Sequence, residues 1–546
     1  MRRLLALGAI ALAGAALAAE PPDPGAQQGL ERQQRDRQRQ QEQLERRPAP
    51  APLGTPAAPA ALPPASRLRN IPVQRIETGP SEVLGADELR ALVAPYEGRT
   101  LSLADLVELT EAINALYAAK GAPTARALLP PQEIEQGRVR IQLVEARLGR
   151  IALSPTRLGQ ALVREHLGLV SGELVSVPRI EAALQRFNRS HEVQLAATLA
   201  AGASSGTSDL ALQASDPPFS QWTLFADNAG SNSLGERRLG LALRLPLLSE
   251  RGDSLNASLL LTGRAPSPSL SLGYALPLAP LRRLDLSYSH GRIAVRRGSF
   301  AALDLTGRSS DLGLGLTQTL LLKPEGSWSA GLRLSAKNSA TDVAGERVRQ
   351  QRLTVLGLSS TLDWQDEAGS WSGEAQLARG LRTAGGEASY TVLRASLARL
   401  LRLANGQQWL LRAALQLSPD PDLPSSEQFQ LGGSASVRGY AEGLLSARRG
   451  AFASLEWRRP LALGDVTRCA THCALQLLAH ADVGSSRPGG GHGAQTLASV
   501  GLGLAGERGP VSVRLGLAWP LRLPPAEATE APTRRPRLHL SASTVW

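Results

Sequence analysis

Apolar and polar residues alternate in short segments from about Phe219 to the end of the chain, and turn-forming residues separate the segments. Residues 240–248 read GLALRLPLL, which places Leu241, Leu243, Leu245 and Leu247 on one face, opposite Ala242, Arg244 and Pro246. A mid-strand arginine opposite a continuous apolar face is typical of strands that have lipid on one side and water on the other. A soluble β-sandwich usually has a shorter and more uniformly polar outer face. The pattern therefore predicts a transmembrane β-barrel.

The turn signals divide this region into sixteen strand candidates. An even number places both ends of the barrel on the periplasmic side, as outer-membrane barrels require. About 20 residues per strand and connection match a tilted span of about 10 residues plus a turn or loop. The strands are predicted to begin near residues 219, 239, 253, 269, 283, 307, 327, 350, 371, 387, 407, 450, 474, 496, 511 and 537.

The last segment is predicted to be the closing strand. Its alternation places Leu538, Leu540, Ala542, Thr544 and Trp546 on one face, and the final residue is the aromatic Trp546. A closing strand with a terminal aromatic is what the barrel-assembly machinery recognises in many outer-membrane proteins. We therefore expect that machinery and outer-membrane lipid to be partners of this chain.

Helical periodicity appears only before the barrel. Residues 67–146 read strand, helix, helix, strand, strand, and the order repeats in residues 147–218. In the second helix of the first unit, Leu103, Leu106, Leu109, Ile113 and Leu116 recur at helical spacing. Two successive units of about 75 residues predict a tandem repeat of small α/β domains. The fold class is thus α+β domains followed by an all-β barrel of sixteen strands.

The N-terminal segments indicate export and a tethered helix. Residues 1–18 combine two arginines, an apolar run and the triplet Ala16-Leu17-Ala18, which predicts a signal peptide cut after Ala18. The 19–47 region contains a strongly polar helix over residues 27–47, with Leu30 and Leu44 as its only apolar members. This helix is either solvated or held inside a wet, polar cavity. The Pro/Ala-rich residues 48–66 form a linker that spans on the order of 60 Å in polyproline geometry.

Composition changes this picture little. Hydrophobic residues make up 42% of the 546 residues, the mean hydropathy is −0.12, and no later apolar run reaches the length of a membrane helix. The formal net charge of +12 predicts a basic pore lining and basic loops. It does not indicate nucleic acid, because no nucleic-acid-binding motif accompanies it.

The sequence contains few candidates for catalytic, metal-binding or disulfide-forming residues. Cys469 and Cys473 form either a local disulfide or two free thiols. A zinc site would need two further ligands, with His472 and His480 the nearest candidates, so no metal is predicted. The sequence contains no catalytic triad, no paired carboxylates and no cofactor motif, so an enzyme is not expected.

The longest connection, about residues 419–449, lies between the eleventh and twelfth strands, and a loop of this length is usually functional. It contains Phe429, Gly432, Gly433 and the tetrad Val437-Arg438-Gly439-Tyr440. These residues resemble the FxLGG…VRGY signature of two-partner secretion transporters, the TpsB or hemolysin secretion/activation family. The order of signal peptide, helix, linker, tandem domains, barrel and terminal aromatic matches that family over nearly the whole chain.

The resemblance implies two periplasmic POTRA domains and a barrel in the outer membrane that exports an unfolded, hemolysin- or hemagglutinin-like exoprotein. It also implies that the long loop folds back into the barrel, where Arg438 pairs with Asp482 of an FxD-like motif. His480 stands where the family prefers phenylalanine. The physical reason for a pair is independent, since an arginine inside a lumen needs a carboxylate partner. The alternative function is a barrel-assembly factor of the same superfamily, which usually carries more POTRA domains and lacks the N-terminal helix.

Overall fold

The computed structural model describes residues 23–45, 53–54, 71–204, 206–263, 267–296, 301–382, 386–461, 473–488, 493–523 and 535–546. The predicted signal peptide over residues 1–18 and Cys469 lie outside these residues, so the choice between a disulfide and two free thiols at Cys469 and Cys473 stays a prediction. The chain divides into two compact units, one made of residues 48–217 with 249–252 and the other of the remaining residues. No helix within the described ranges is long and apolar enough to cross a membrane.

The N-terminal helix, α1, spans Pro24–Glu45, three residues earlier at its start and two earlier at its end than predicted. It belongs to the same compact unit as the barrel. A short strand, β1 (Leu53–Gly54), follows in the linker.

The first small domain forms its core from alternating strands and one long helix. The predicted helical face is mostly correct, since Leu106, Leu109 and Ile113 are fully buried, but Leu103 at the first turn is 36% exposed. β3 and β6 pair in parallel, β5 joins β6 antiparallel, and β2 pairs with β4. The sequence pattern missed the short strand β4 between the two helices and the division of the first strand into β2 and β3. The elements are β2 (Ile71–Val73), β3 (Arg75–Thr78), α2 (Ala86–Val93), β4 (Arg99–Leu101), α3 (Leu103–Ala119), β5 (Arg126–Leu128) and β6 (Arg138–Val144).

The second small domain has the predicted order of strand, helix, helix, strand and strand. β7 pairs in parallel with β9, β9 pairs antiparallel with β8, and the linker strand β1 adds to the free edge of β8. Ile180, Leu184 and Phe187 of the second helix are buried because they recur at helical spacing. The elements are β7 (Arg147–Leu153), α4 (Gln160–Leu167), α5 (Val177–Ser190), β8 (Gln194–Ala201) and β9 (Thr207–Ser215).

Sixteen antiparallel strands close into a barrel, which confirms the predicted count. The seam joins β10 to β27, and Trp546 extends it by two backbone hydrogen bonds with Trp222, of 2.8 and 3.0 Å. Every strand begins within four residues of its predicted start. The strands are β10 (Gln221–Asp227), β11 (Arg238–Pro246), β12 (Ser254–Thr262), β13 (Ser267–Ala279), β14 (Arg282–Ala294), β15 (Leu305–Leu322), β16 (Gly326–Val343), β17 (Glu346–Asp366), β18 (Gly369–Leu381), β19 (Tyr390–Arg402), β20 (Gln408–Leu417), β23 (Arg449–Pro460), β24 (Cys473–Arg487), β25 (Gln495–Arg508), β26 (Val511–Pro520) and β27 (Arg537–Val545).

The outer face of the barrel carries exposed leucines and valines at every second position, as on β26, where Val511, Val513 and Leu515 point outwards. The prediction that Leu247 shares one strand face with Leu241, Leu243 and Leu245 is wrong. Leu247 lies past the end of β11, is only 4% exposed and has a φ of +55°. The alternate positions face the lumen. They carry Lys337, Arg412 and Arg514 but also Glu374 and Asp482, so the lining has both signs of charge rather than a uniformly basic surface.

The strands differ greatly in length. β16 and β17 have 18 and 21 residues, whereas β10 has 7. A two-residue turn joins β16 to β17, and both of its residues, Ala344 (φ +51°) and Gly345 (φ +84°), have the left-handed conformation of a type I′ hairpin.

Candidate functional site: the loop and helix inside the barrel

The connection between β20 and β23 folds inwards instead of extending from the rim. It forms a hairpin of β21 (Phe429–Leu431) and β22 (Leu445–Ala447), whose residues pack in a small apolar cluster against the wall. Phe429 lies over Gly450 of β23, and Leu431 and Val437 lie over Gly484 of β24. A side chain at either wall glycine would overlap these residues, so the wall is shaped to receive the loop.

The three glycines of the motif have the left-handed backbone conformation. Gly432, Gly433 and Gly439 have φ values of +108°, +97° and +88°, which residues with a Cβ rarely adopt. A Cβ on Gly433 would also overlap the carboxylate of Glu442. These turns carry Arg438 and Tyr440 in different directions towards the wall.

Arg438 contacts Asp482 in the arrangement that the family resemblance implied. Its Nε and Nη2 donate to the two carboxylate oxygens of Asp482, each at 2.8 Å, and its backbone N–H donates to Asp482 Oδ2 at 3.1 Å. Nη1 donates to Glu456 Oε2, and Nη2 also donates to Ser454 Oγ at 3.1 Å. One buried guanidinium is therefore shared by two buried carboxylates.

Glu456 is a site residue that sequence reasoning missed. It lies on β23 directly opposite His480 of β24, and its other oxygen accepts from Arg458 Nε at 2.9 Å. His480 is 9% exposed, and its ring covers Gly501 of β25, where a Cβ would lie 2.3 Å from the ring. The imidazole thus occupies a gap in the wall that the absence of a side chain at Gly501 creates.

Tyr440 fixes the end of the motif. Its hydroxyl lies 2.9 Å from the carbonyl oxygen of Ala498 and 2.8 Å from that of Arg522. The N–H of Gly439 donates to His539 Nε2 of β27 at 3.1 Å. The tetrad therefore contacts β23 to β27, the last third of the barrel.

Glu427 forms a second anchor that the sequence did not reveal. It is 1% exposed at the start of the loop hairpin, accepts from Lys337 Nζ of β16, and accepts from Arg394 Nη2 of β19 at 2.7 Å. Arg32 of α1 lies 4.0 Å away. Here one buried carboxylate is surrounded by three cations, the reverse of the arrangement at Arg438.

Helix α1 packs along the loop. Arg37 Nη1 donates to the carbonyl of Ala435 at 2.7 Å, and Gln34 Nε2 donates to Glu442 Oε2 at 2.9 Å. At Gly29 the helix approaches the loop so closely that a Cβ would lie 3.0 Å from the carbonyl oxygen of Ser426. Glycine at this position permits the contact.

The same helix contacts strands around most of the wall, which places it in the lumen. The contacts are hydrogen bonds from or to Ser289 of β14 (2.7 Å), Ser269 and Ser271 of β13 (2.7 and 3.0 Å), the carbonyl of Ser372 of β18 (3.1 Å) and Arg402 of β19 (3.1 Å). Leu44 packs against Ala398, Leu400 and Leu410, and Leu30 is buried beside Gly443. Of the two environments that the sequence left open, the structure places the helix inside a polar cavity.

A continuous series of ion pairs links the helix to the motif. Glu45 at the end of α1 pairs with Arg458 (2.9 Å), Arg458 pairs with Glu456 (2.9 Å), and Glu456 pairs with Arg438. Asp482 completes the series. Within the part of the chain that the structure describes, no group of three or more His, Cys, Asp and Glu side chains is arranged to hold a metal ion.

Comparison with known proteins identifies the class. A family model described as haemolysin secretion/activation protein ShlB/FhaC/HecB matches residues 206–506, and a model of the ShlB-type POTRA domain matches residues 71–146. A POTRA region before a closed barrel of sixteen strands defines an outer-membrane transporter with its POTRA domains in the periplasm. The chain belongs to the haemolysin secretion/activation protein family, the transporters of two-partner secretion.

Two curated relatives have similar sequences. The heme/hemopexin transporter protein HuxB of Haemophilus influenzae (strain 86-028NP) is 25% identical over 71% of this chain and 72% of its own length. The outer membrane transporter CdiB of Dickeya dadantii (strain 3937) is 26% identical over 72% and 74%, respectively.

Two solved structures share the fold. CdiB from Escherichia coli aligns with a TM-score of 0.69 at 21% identity, covering 96% of this chain and 100% of the other. BamA from Haemophilus ducreyi, lacking POTRA domains 1–3, aligns with a TM-score of 0.56 at 13% identity, covering 88% and 100%. The family is a class of secretion transporters and not a class of enzymes.

Proposed function

We propose that this chain exports one large, unfolded partner exoprotein from the periplasm, recognising it through the POTRA domains and passing it through the barrel. The observation that carries this proposal is the content of the lumen. Helix α1 and the β20–β23 loop occupy it, and the helix is held mainly by hydrogen bonds and ion pairs rather than by apolar packing. Water can replace the exposed contacts of this kind at low net cost, so the helix is suited to being moved.

Energy for export needs no nucleotide in this scheme. The polypeptide arrives unfolded, and its folding outside the cell draws the remaining chain outwards. The POTRA sheets offer backbone edges, which bind extended segments with little demand on their sequence. Neither a cofactor nor a metal has a role.

The test is export itself. The chain and a large hemolysin- or hemagglutinin-like exoprotein, sought among the neighbouring genes, are expressed together in a Gram-negative host that lacks both, and the exoprotein is measured in the medium. We expect it in the medium only when this chain is present. Normal export without this chain would contradict the proposal. Loss of other outer-membrane barrels from the host upon depletion of the chain would instead indicate a barrel-assembly factor.

A further inference from the structure

Four neighbouring strands, β14 to β17, carry two polar rows on their lipid-facing side at the cell-surface end of the barrel. Side chains alternate between the two faces of a strand, so the exposed leucines identify which residues face outwards. The register aligns one row of these leucines, Leu286, Leu314, Leu334 and Leu356. Counted outwards from that row, the third row contains His290, Ser310, Asn338 and Arg352, and the fourth contains Arg292, Arg308, Ala340 and Gln350. We call the third and fourth rows the basic patch.

The basic patch lies at the depth of the lipid headgroups. On β15 the exposed leucines extend from Leu312 to Leu321, about 10 residues, which is the length of a tilted strand that crosses the hydrocarbon core. Arg308 lies four residues beyond this span, and on β17 Arg352 lies four residues beyond Leu356 in the same direction. An arginine at this position meets neither hydrocarbon nor open water but the polar layer between them.

The patch carries positive charge that the protein does not neutralise. Arg292 and Arg308 are exposed and lie directly opposite each other in the ladder, where like charges destabilise a sheet. None of the ion pairs among the described residues involves these two arginines or Arg352. Neither row of the patch contains an aspartate or a glutamate.

Acidic side chains next to the patch are bound to other groups. Asp342, in the following row, accepts from Arg347 Nε at 2.7 Å. Glu387 accepts from the backbone N–H of Arg352 at 3.1 Å rather than from its guanidinium. The rim therefore contains acids, but they are not directed at the guanidinium groups of the patch. An anion from outside the chain would remove the repulsion between those groups.

The opposite end of the same wall has a different chemistry. Trp328 near the start of β16, Trp364 near the end of β17 and Trp371 near the start of β18 lie at the periplasmic end. Tryptophan is typical of membrane interfaces in general, whereas the guanidinium of arginine matches the oxygens of a phosphate in particular. The two ends of this wall thus suit two chemically different leaflets.

We propose that the basic patch binds the phosphorylated headgroup of a glycolipid in the outer leaflet. One phosphate lies between Arg292 and Arg308, where it neutralises both guanidinium groups and removes their repulsion. Arg352 lies two strands from Arg308, roughly 10 Å along the sheet, so it contacts a second phosphate of the same headgroup. Ser310 and Asn338 lie between the cations and form hydrogen bonds to the sugar. This site lies outside the lumen and does not depend on the proposed export function.

Lipid binding by the full-length protein in detergent tests the site. The probe is lipid A, a glycolipid with two phosphates, and native mass spectrometry measures the bound fraction over a range of lipid concentrations. We expect Arg292→Gln with Arg308→Gln to weaken binding at least tenfold. The matched control, Arg282→Gln with Arg283→Gln, removes two exposed arginines from the periplasmic end of β14 and should bind as the unaltered chain does. Equal binding by the two double variants would overturn the proposal.

Two further variants test the roles of the arginines, and heat-modifiable mobility verifies that each variant is folded. Arg292→Lys with Arg308→Lys keeps the charge but loses the planar fork, so its affinity should lie between those of the unaltered chain and the glutamine variant. Arg352→Gln should lower the affinity for lipid A to that for its form with one phosphate, because only the second contact is lost. If the lysine variant binds as tightly as the unaltered chain, the guanidinium groups do not form the site. If Arg352→Gln binds both lipids normally, the second contact is wrong.

Competition identifies the source of the phosphate. Inorganic phosphate, equimolar with lipid A, should leave lipid binding unchanged, because a free anion lacks the acyl chains that pack on the leucine row. Displacement of lipid A by an equimolar amount of phosphate would assign the patch to a free anion and overturn the lipid proposal.

Discussion

At the scale of single residues, Arg438 is the point on which the loop depends. Its guanidinium bonds Asp482 through two nitrogens and Glu456 through a third, all inside the barrel. Removing the arginine leaves two buried carboxylates without their shared cation, whereas removing Asp482 leaves Arg438 with Glu456. The two changes are therefore unequal.

We predict that Arg438→Ala will reduce export more strongly than Asp482→Ala, with a local cost on the order of 3–5 kcal/mol for the arginine. Both variants should still reach the outer membrane, which heat-modifiable mobility on gels checks. The measurement is a double-mutant cycle on export. Strictly additive effects would mean that the two residues do not interact. The charge swap Arg438→Asp with Asp482→Arg should fail to restore export, because Glu456 would then face a new carboxylate.

A pair of partly buried histidines lies in the second small domain. His166 Nδ1 and His191 Nε2 lie 2.9 Å apart, and the His191 ring stacks on Phe187 with centroids 4.3 Å apart. Burial lowers the pKa of His191 to about 4, and burial also lowers the pKa of His166, against the opposing charge of Glu165. In the unfolded chain both rings titrate near pH 6.5.

We predict that this domain loses about 1–2 kcal/mol of stability between pH 7 and pH 5. As the pH falls below 6.5, the unfolded state binds protons that the folded state still refuses, so unfolding becomes easier. The measurement is the first thermal transition of the full chain in detergent at the two pH values. His191→Phe should remove most of the difference, while a difference of the same size in that variant would exclude the histidine as its source.

Some residues of the site could be predicted from the sequence, and others could not. Arg438 and Asp482 were predicted because a local tetrad and a strand motif both resemble a known family. Glu456 and Glu427 belong to no such motif, and the partner Lys337 is 90 residues from Glu427 in the chain. Buried ion pairs between distant segments leave no periodic signal in one sequence.

At the scale of elements, the loop is held at two points, and the charges at these two points are arranged in opposite ways. Arg438 lies among carboxylates, and Glu427 lies among Lys337, Arg394 and, farther away, Arg32 of the helix. The second anchor therefore joins the loop, the wall and the helix at one carboxylate.

We predict that Glu427→Gln will loosen the first half of the loop and release the helix more often, because Lys337 and Arg394 lose their buried counter-charge. Single-channel recordings should show at least twofold more frequent openings. The matched control is Asp422→Asn, an exposed acid of the same loop, which should behave as the unaltered chain. If the Glu427→Gln and Asp422→Asn channels open equally often, Glu427 does not anchor the loop.

The elements themselves were largely predictable. A period of two residues locates a strand well, so all sixteen starts lie within four residues of their predicted positions. The largest error is at β17, which starts at Glu346 rather than near residue 350. Its first residues include Arg347 and Arg349 and lack an apolar face, because they lie beyond the lipid-facing leucines. Contact with lipid requires an apolar side chain at every second position of a strand. The part of a strand that extends beyond the lipid lacks this requirement, so the alternation in the sequence does not reveal it.

At the scale of the whole molecule, the helix occupies the lumen without forming part of the barrel wall. We predict that deletion of residues 20–47 will increase single-channel conductance and sensitivity to large antibiotics while export stays within about twofold of normal. The physical reason is that the lumen loses its main occupant but the wall loses few apolar contacts, those of Leu44 being the exception. Unchanged permeability after the deletion would show that the helix does not limit the pore at rest.

The POTRA domains and the barrel should separate in function as they do in structure. A chain that carries the signal peptide followed by residues 219–546 should insert as a folded barrel, since the seam from β10 to β27 involves none of residues 71–217. It should export less than a hundredth of the normal amount, because the receptor for the unfolded polypeptide is missing. Surface labelling and heat modifiability verify insertion, and retained export by this barrel would refute the receptor role.

The hairpin of β16 and β17 makes the cell-surface rim of the barrel higher on one side than on the other. About 10 tilted residues cross the membrane, and these strands have 18 and 21, so several residues of each stand clear of the lipid. The exposed leucines of β17 begin only at Leu356, and β18 starts to pair at Thr354, so residues 346–351 have no partner on β18 within the described part of the chain. This end of β17 is charged, since Arg347 bonds Asp342 of β16 and Arg349 pairs with Asp23 at 3.4 Å, and charge beside an open strand is a common protection against unwanted strand addition. For the export that we propose, this asymmetry predicts that the emerging polypeptide leaves the pore on the low side of the rim, away from the hairpin of β16 and β17.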